Sequence, residues 1–303
     1  MRRIISLFIG VIILILVVST QIQSFDQLFN TQKNAHWGNA FISFLFFFSH
    51  GLIIYLAWAT SLNYYDINIS KKESAVIHFI SLLSRYLPGG VWHIAGRFLA
   101  VVKKGGDAKR VLSTLYLEQS IAILSCLLII VIVFWYRPST FTDVTNFSLE
   151  NWASVLTLIL VISLAFPRIL IQLINFFFSL FNKHKIQYLS KLQHYNIFAL
   201  HLISMLLYAV GYYYSAYVYT SNPDLINLIG IVMLATFLGF IAIFVPSGLG
   251  IREGAIIAYL NTQGVDGEVA VSIVLLPRLL ILLAEILSIL LSLTLMKVWG
   301  GNA

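Results

Sequence analysis

Apolar runs about as long as a bilayer core is thick recur along this chain, at about 4–22, 39–62, 109–135, 152–174, 194–219, 225–245 and 270–296. A hydrocarbon core of about 30 Å needs roughly 20 apolar residues in a helix, whose backbone groups satisfy one another internally. Only 10% of the 303 residues are charged and 59% are hydrophobic, against roughly 25% charged in a soluble domain. The expected fold is therefore all-α: a polytopic integral membrane bundle of about seven to eight transmembrane helices, forming one transmembrane domain over 1–303. No soluble domain of useful size is expected between the runs. Arg2-Arg3 before Ile4 to Ile22 has the look of a signal peptide, yet no small-x-small cleavage site follows, so a retained first helix is expected. Cys126, the single cysteine, reads as a small buried hydrophobe.

Two segments resist reading as simple spans. Ser74 to Val102 is apolar but is broken by Pro88-Gly89-Gly90 into arms of 14 and 12 residues. At about 1.5 Å per residue, each arm is only about 20 Å long. A re-entrant pair of half-helices is expected, since broken backbone survives at membrane depth only where protein or a wet cavity satisfies it. The second is Pro246-Ser247-Gly248-Leu249-Gly250, followed by the short arm Ile251 to Thr262. The run from Trp152 to Phe181 is too long for one span; Pro167-Arg168 is expected to end the crossing part, leaving an interfacial amphipathic helix through Phe176–Phe178 to Lys183 and Lys185.

The charge distribution orients the chain. With a cytoplasmic N-terminus, Arg2, Arg3, Lys71, Lys72, Lys103, Lys104, Lys109, Arg110, Lys183, Lys185 and Lys191 lie inside and Lys33, Arg137 and Lys297 outside. This is the bias of a cytoplasmic (inner) membrane protein. It also explains the net charge of +7 without nucleic acid. An internal repeat is suggested as well, with halves at about 74–135 and 225–296 after the N-terminal helices of 1–62. Pro88, the Gly105-Gly106 pair and Glu118 are spaced much like Pro246, Gly264 and Arg278. Paired broken segments in two halves point to a transporter's binding site.

Ionisable residues within apolar segments are costly and usually functional. Here they are Arg85, Arg97, Glu118, Arg168, Arg252, Glu253, Arg278 and Glu285, five positive and three negative, mostly beside the two breaks. An arginine in low dielectric must be paired or must hold an anion. Two arginines in excess fit an anionic group such as a phosphate, which Arg grips in a bidentate way. The alternative is that the charges pair among themselves, Glu118 with Arg278 for example, and lock the bundle. Trp92 lines the cavity or sits at the interface, and His93 is a ligand or a hydrogen-bonded histidine. The seven histidines show no metal spacing, and P-loop, H-E-x-x-H and G-x-S-x-G motifs are absent from the sequence. No metal, cofactor or ATP hydrolysis is expected, and the chain reads as a transporter rather than an enzyme.

The stretch Arg85-Tyr86-Leu87-Pro88-Gly89-Gly90-Val91-Trp92-His93-Ile94-Ala95-Gly96-Arg97, with Leu117-Glu118 downstream, resembles the lysylphosphatidylglycerol synthase transmembrane-region family. So does Phe244-Val245-Pro246-Ser247-Gly248-Leu249-Gly250-Ile251-Arg252-Glu253-Gly254. The resemblance runs from about 40 to 296. It implies that Arg85, Pro88, Gly90, Trp92, Arg97, Glu118, Pro246, Gly248, Gly250 and Glu253 are functional positions, and that the chain is a flippase-like translocator of envelope lipids. It departs from the full-length enzymes of the family in lacking their soluble aminoacyl-transferase domain, so synthesis of an aminoacyl lipid by this chain alone is not expected. The expected substrate is a phosphate-bearing amphiphile, either a polyprenyl-phosphate-linked sugar or an anionic or aminoacylated phospholipid. Its head group is expected to meet Arg85, Pro88, Gly89, Gly90, Trp92, His93, Arg97, Glu118, Pro246, Gly248, Gly250, Arg252, Glu253, Arg278 and Glu285. Enzymes of envelope-polysaccharide assembly or lipid modification are candidate partners. The rival readings are a membrane transferase using Glu118, Glu253 and His93 as acid–base groups, and a non-transporting scaffold for envelope assembly.

Overall fold

A computed structural model describes residues 36–86, 91–141, 150–165, 168, 171–172, 175–176, 189–242 and 250–300. The first expected span (4–22), the first Pro-Gly break, all of the second but Gly250, and most of the expected interfacial helix lie outside these residues. Every described element is helical: α1 (Trp37–Tyr64), α2 (Lys71–Leu83) continued by a 3-10 turn (Ser84–Tyr86), α3 (Trp92–Lys103), α4 (Ala108–Tyr136), α5 (Glu150–Ala165), α6 (Lys191–Tyr219), α7 (Leu225–Ile241), α8 (Ile251–Thr262) and α9 (Gly267–Gly300). Four of them, α1, α4, α6 and α9, are long and apolar enough to cross a membrane. At 28 and 29 residues, α1, α4 and α6 are each about 42 Å long. By contrast α7, at 17 residues, is only about 25 Å long.

Helix ends are set by local chemistry. The side chains of Ser70, Asp107, Ser190 and Asp224 accept the first free backbone N–H groups of α2, α4, α6 and α7. At the other end, α3 and α8 each stop on a glycine in the left-handed region, Gly105 (φ +92) and Gly264 (φ +75).

Helix pairs run antiparallel and define two ends of the bundle. The pair α1–α6 is joined from His36 N donating to Val218 O (3.1 Å), through Ser43 on Gly211 O (2.7 Å), to Asn196 on the Tyr64 hydroxyl (3.0 Å). The helices approach closely at Gly211, where a Cβ would lie 2.7 Å from the Phe47 ring. The pair α4–α7 is joined by Arg137–Asp224, by Thr140 on Asn227 (2.8 Å) and by Cys126 on Met233 O (3.0 Å). One end of the bundle therefore carries Asp66, Glu73, Lys104 and Arg110, and the other carries Arg137 and Asp224.

Between these ends lie two helical hairpins of opposite sense. In the first, α2 and α3 meet at Gly96 and Ser81, and Lys104 closes on Glu73 at the mouth, so both arms open on the lysine-rich end. That lysine, with Ser70, holds the Glu73 carboxyl below the usual carboxylate range. In the second hairpin, Arg252 at the start of α8 lies against Gly239 and Phe240 at the end of α7, so α8 runs back toward the Asp224 end.

Candidate functional site

Three ion pairs, one of them fully buried, tie the hairpins to the long helices. Arg97 on α3 donates to Glu118 on α4 at 2.8 Å, with side chains only 5% and 3% exposed. Arg278 on α9 donates to Glu253 on α8 through Nε (2.7 Å) and Nη2. Arg85, in the 3-10 turn at the tip of the first hairpin, pairs with Glu285 on α9, whose other oxygen accepts from the Tyr86 hydroxyl (3.3 Å). The expected pairing of Glu118 with Arg278 is corrected by this arrangement. Each of these residues instead meets a charge on the short helix just before its own, because the glycine turns fold those helices back alongside.

Glu253 has a second task. Gly250, with φ +83, begins α8 in a conformation that a side chain would strain, and its N–H donates to Glu253 Oε2 (2.5 Å). One carboxylate thus closes the broken helix start and holds α9. Pro88, Gly89, Gly90, Pro246 and Gly248 lie outside the described residues. Trp92 is exposed on the bundle surface, and His93 is partly buried at the start of α3. Arg168 is exposed.

With three carboxylates engaged, Arg252 has no acidic partner among the described residues. Its guanidinium lies over the Phe240 ring at 5.7 Å, and its buried Nε has no hydrogen-bond partner there. The backbone of α7 admits it only because residue 239 is glycine.

Around Arg97 the structure gathers groups that the sequence did not single out. The guanidinium lies 4.7 Å from the Trp58 ring. His78 and His201, both buried, lie within electrostatic reach of Arg97 and of each other. Neither imidazole has a hydrogen-bond partner among the described residues, and Arg97 Nε and Glu118 Oε1 are likewise unsatisfied. Nearby, His50 Nδ1 lies 2.9 Å from Ser204 O and 2.8 Å from Ser204 Oγ. These histidines sit on α1, α2 and α6 with no mutual spacing in sequence, so only the packing of the hairpin against α6 could reveal them. Several polar groups left unsatisfied together mark a polar interior of the kind that ordered water or a passing head group satisfies.

An all-helical bundle with membrane-long helices and Arg–Glu pairs between them defines a multi-pass membrane protein. The model of the lysylphosphatidylglycerol synthase TM region family matches residues 3–288, and the chain belongs to that family. No curated protein matches the chain.

Proposed function

We propose that this protein is a lipid translocase (flippase) of the cytoplasmic membrane. It moves a phosphate-bearing amphiphile between leaflets, either a polyprenyl-phosphate-linked sugar or an anionic or aminoacylated phospholipid. The observation that carries this reading is the placement of the charges. All three pairs join a hairpin to a long helix, in segments whose composition belongs to lipid, and Arg252 has no acidic partner among the described residues. Pairs between separate elements can be broken and remade as the elements shift, and a polar interior lets a head group pass while its tails stay in lipid. A transferase using Glu118, Glu253 and His93 would need those groups where water and soluble donors reach them, whereas Glu118 is buried and held by Arg97. In this reading the N-terminus is cytoplasmic, the hairpins are re-entrant, and enzymes that make or use the lipid are partners.

The test is leaflet-resolved lipid profiling of a strain lacking the protein. Accumulation of one phosphate-bearing lipid in the inner leaflet, with loss from the outer one, supports translocation. A missing lipid product in both leaflets would instead favour the transferase.

A further inference from the structure

We propose that Glu118 is a proton site, and that each lipid phosphate held by Arg97 is accompanied by one proton on Glu118. This rests on the translocase reading for its ligand, whereas the proton site itself follows from how the three paired carboxylates are held.

Those carboxylates differ at their second oxygen. Glu285 gives one oxygen to Arg85 and the other to the Tyr86 hydroxyl. Glu253 gives one to Arg278 and the other to the Gly250 N–H. Glu118 gives only Oε2, to Arg97, and its buried Oε1 has no partner among the described residues. Arg97 is open as well, with its Nε unpartnered there. A bare carboxylate oxygen in a buried pair is a place for a proton, and a bare guanidinium N–H is a place for a second acceptor.

The unpartnered histidines gather at this same pair. Gly96 lies against Ser81, which sets His78, one turn before Ser81, beside the helix that bears Arg97. The His78 ring is 5.9 Å from Tyr55 on α1, and the Arg97 guanidinium lies over Trp58, one turn further along α1. Between the contacts of His50 with Ser204 and of Tyr64 with Asn196, His201 on α6 falls level with Tyr55. Ile197, one turn from His201, is buried in one cluster with Trp58 and with Leu117 and Ile121, which flank Glu118 on α4. None of the four ring nitrogens of His78 and His201 has a partner among the described residues. The other ionisable groups facing the pair are His50 and Tyr55 on α1 and His93 on α3, with His194 two turns behind His201. On α4 itself the nearest is Tyr116; α7 has none, and α5 only Glu150 at its start.

Opening this pair has a constrained outcome. A phosphate oxygen can take Arg97 only if Glu118 lets go, and a carboxylate left alone and charged at this depth is too costly to persist. Glu118 then takes up one proton on its bare oxygen and becomes a neutral acid. His78 and His201 are the groups that can pass that proton on, since an imidazole both accepts and donates. Charge balances: a phosphodiester brings one negative charge and the proton one positive, so the loaded and empty sites carry the same charge. Lipid and proton share one state and cross together. At equal pH on the two sides the proton sets no direction, and the supply of lipid does.

The test measures binding of phosphatidylglycerol and of a polyprenyl-phosphate hexose, both phosphodiesters, to the full chain in dodecylmaltoside. Between about pH 6 and 8 neither probe titrates, so uptake of one proton should weaken binding about tenfold for each unit of rising pH. Calorimetry in two buffers of different ionisation heat should count about one proton taken up per lipid by the wild type. Glu118→Gln should bind without pH dependence and take up none. Because that substitution strands Arg97, added probe should raise its unfolding temperature more than it raises that of the wild type. His78→Gln combined with His201→Gln should keep the pH dependence of binding, as should Glu73→Gln at the hairpin mouth. In liposomes, a pH difference should gather the lipid on the alkaline side. Wild-type binding that is independent of pH, binding without proton uptake, or a pH dependence that survives Glu118→Gln would overturn the inference. Lipid movement faster than in protein-free liposomes but indifferent to a pH difference would also remove it, and would leave the translocase reading standing. Glu118-dependent proton uptake on binding, without lipid movement, would remove the translocase reading alone, and failure of both probes to bind would remove both.

Discussion

Arg97 and Glu118 are the most deeply buried charges among the described residues, and they show how pairing at membrane depth acts. Removing one partner strands the other in low dielectric, at a cost of about 3–5 kcal/mol, whereas removing both is far milder. Arg97→Gln and Glu118→Gln should each lower the unfolding temperature in detergent clearly, and the double variant should recover much of the loss. Additive losses would mean the two do not interact. Exchanging the charges of Glu118 and Arg278 should bring no recovery, since each faces a different partner. The charges themselves were legible in the sequence, as was their excess of positive over negative, but their partners were not read from it. The signal was present: Arg97 and Glu118 flank Gly105 at eight and thirteen residues, and Glu253 and Arg278 flank Gly264 at eleven and fourteen. Two helices folded back across a glycine turn bring such positions level. The unsatisfied histidines had no comparable signal, because their neighbourhood comes from contacts between distant segments.

At the scale of elements, run length located α1, α4, α6 and α9, and the arm expected at 251–262 is helix α8 to the residue. The run expected at 225–245 is helix α7 as far as Ile241, and Arg252 of the helix that follows lies against its end. Hydropathy measures how apolar a segment is, not whether its far end turns, and a hairpin buried among neighbours is as apolar as a crossing. The inverted arrangement predicts the faces of the two glycine turns. In a Cys126→Ser background, Gln263→Cys should react with an impermeant thiol reagent from intact cells, and Lys103→Cys only after permeabilisation. Labelling of both from the same side would contradict it. Close packing predicts a second outcome. Gly211→Leu should loosen α1 from α6 by forcing the Phe47 ring aside, a cost of about 1–3 kcal/mol visible in thermal unfolding. Gly38→Leu, at a position with open space around it, should be near neutral.

For the whole molecule, two hairpins opening on opposite ends and bolted to long helices by ion pairs make a bundle with a matched element for each side of the membrane. Alternating access needs such a pair, in which one element loosens as the other closes. The most direct measurement uses the purified protein in liposomes whose fluorescent phosphodiester lipid starts in one leaflet, followed by its accessibility to a membrane-impermeant quencher. The account predicts that lipid reaches the other leaflet faster than in protein-free liposomes, and that Arg252→Gln removes most of the gain while the protein stays folded. Crossing no faster than in protein-free liposomes, for glycerolipid and polyprenyl phosphodiesters alike, would contradict it.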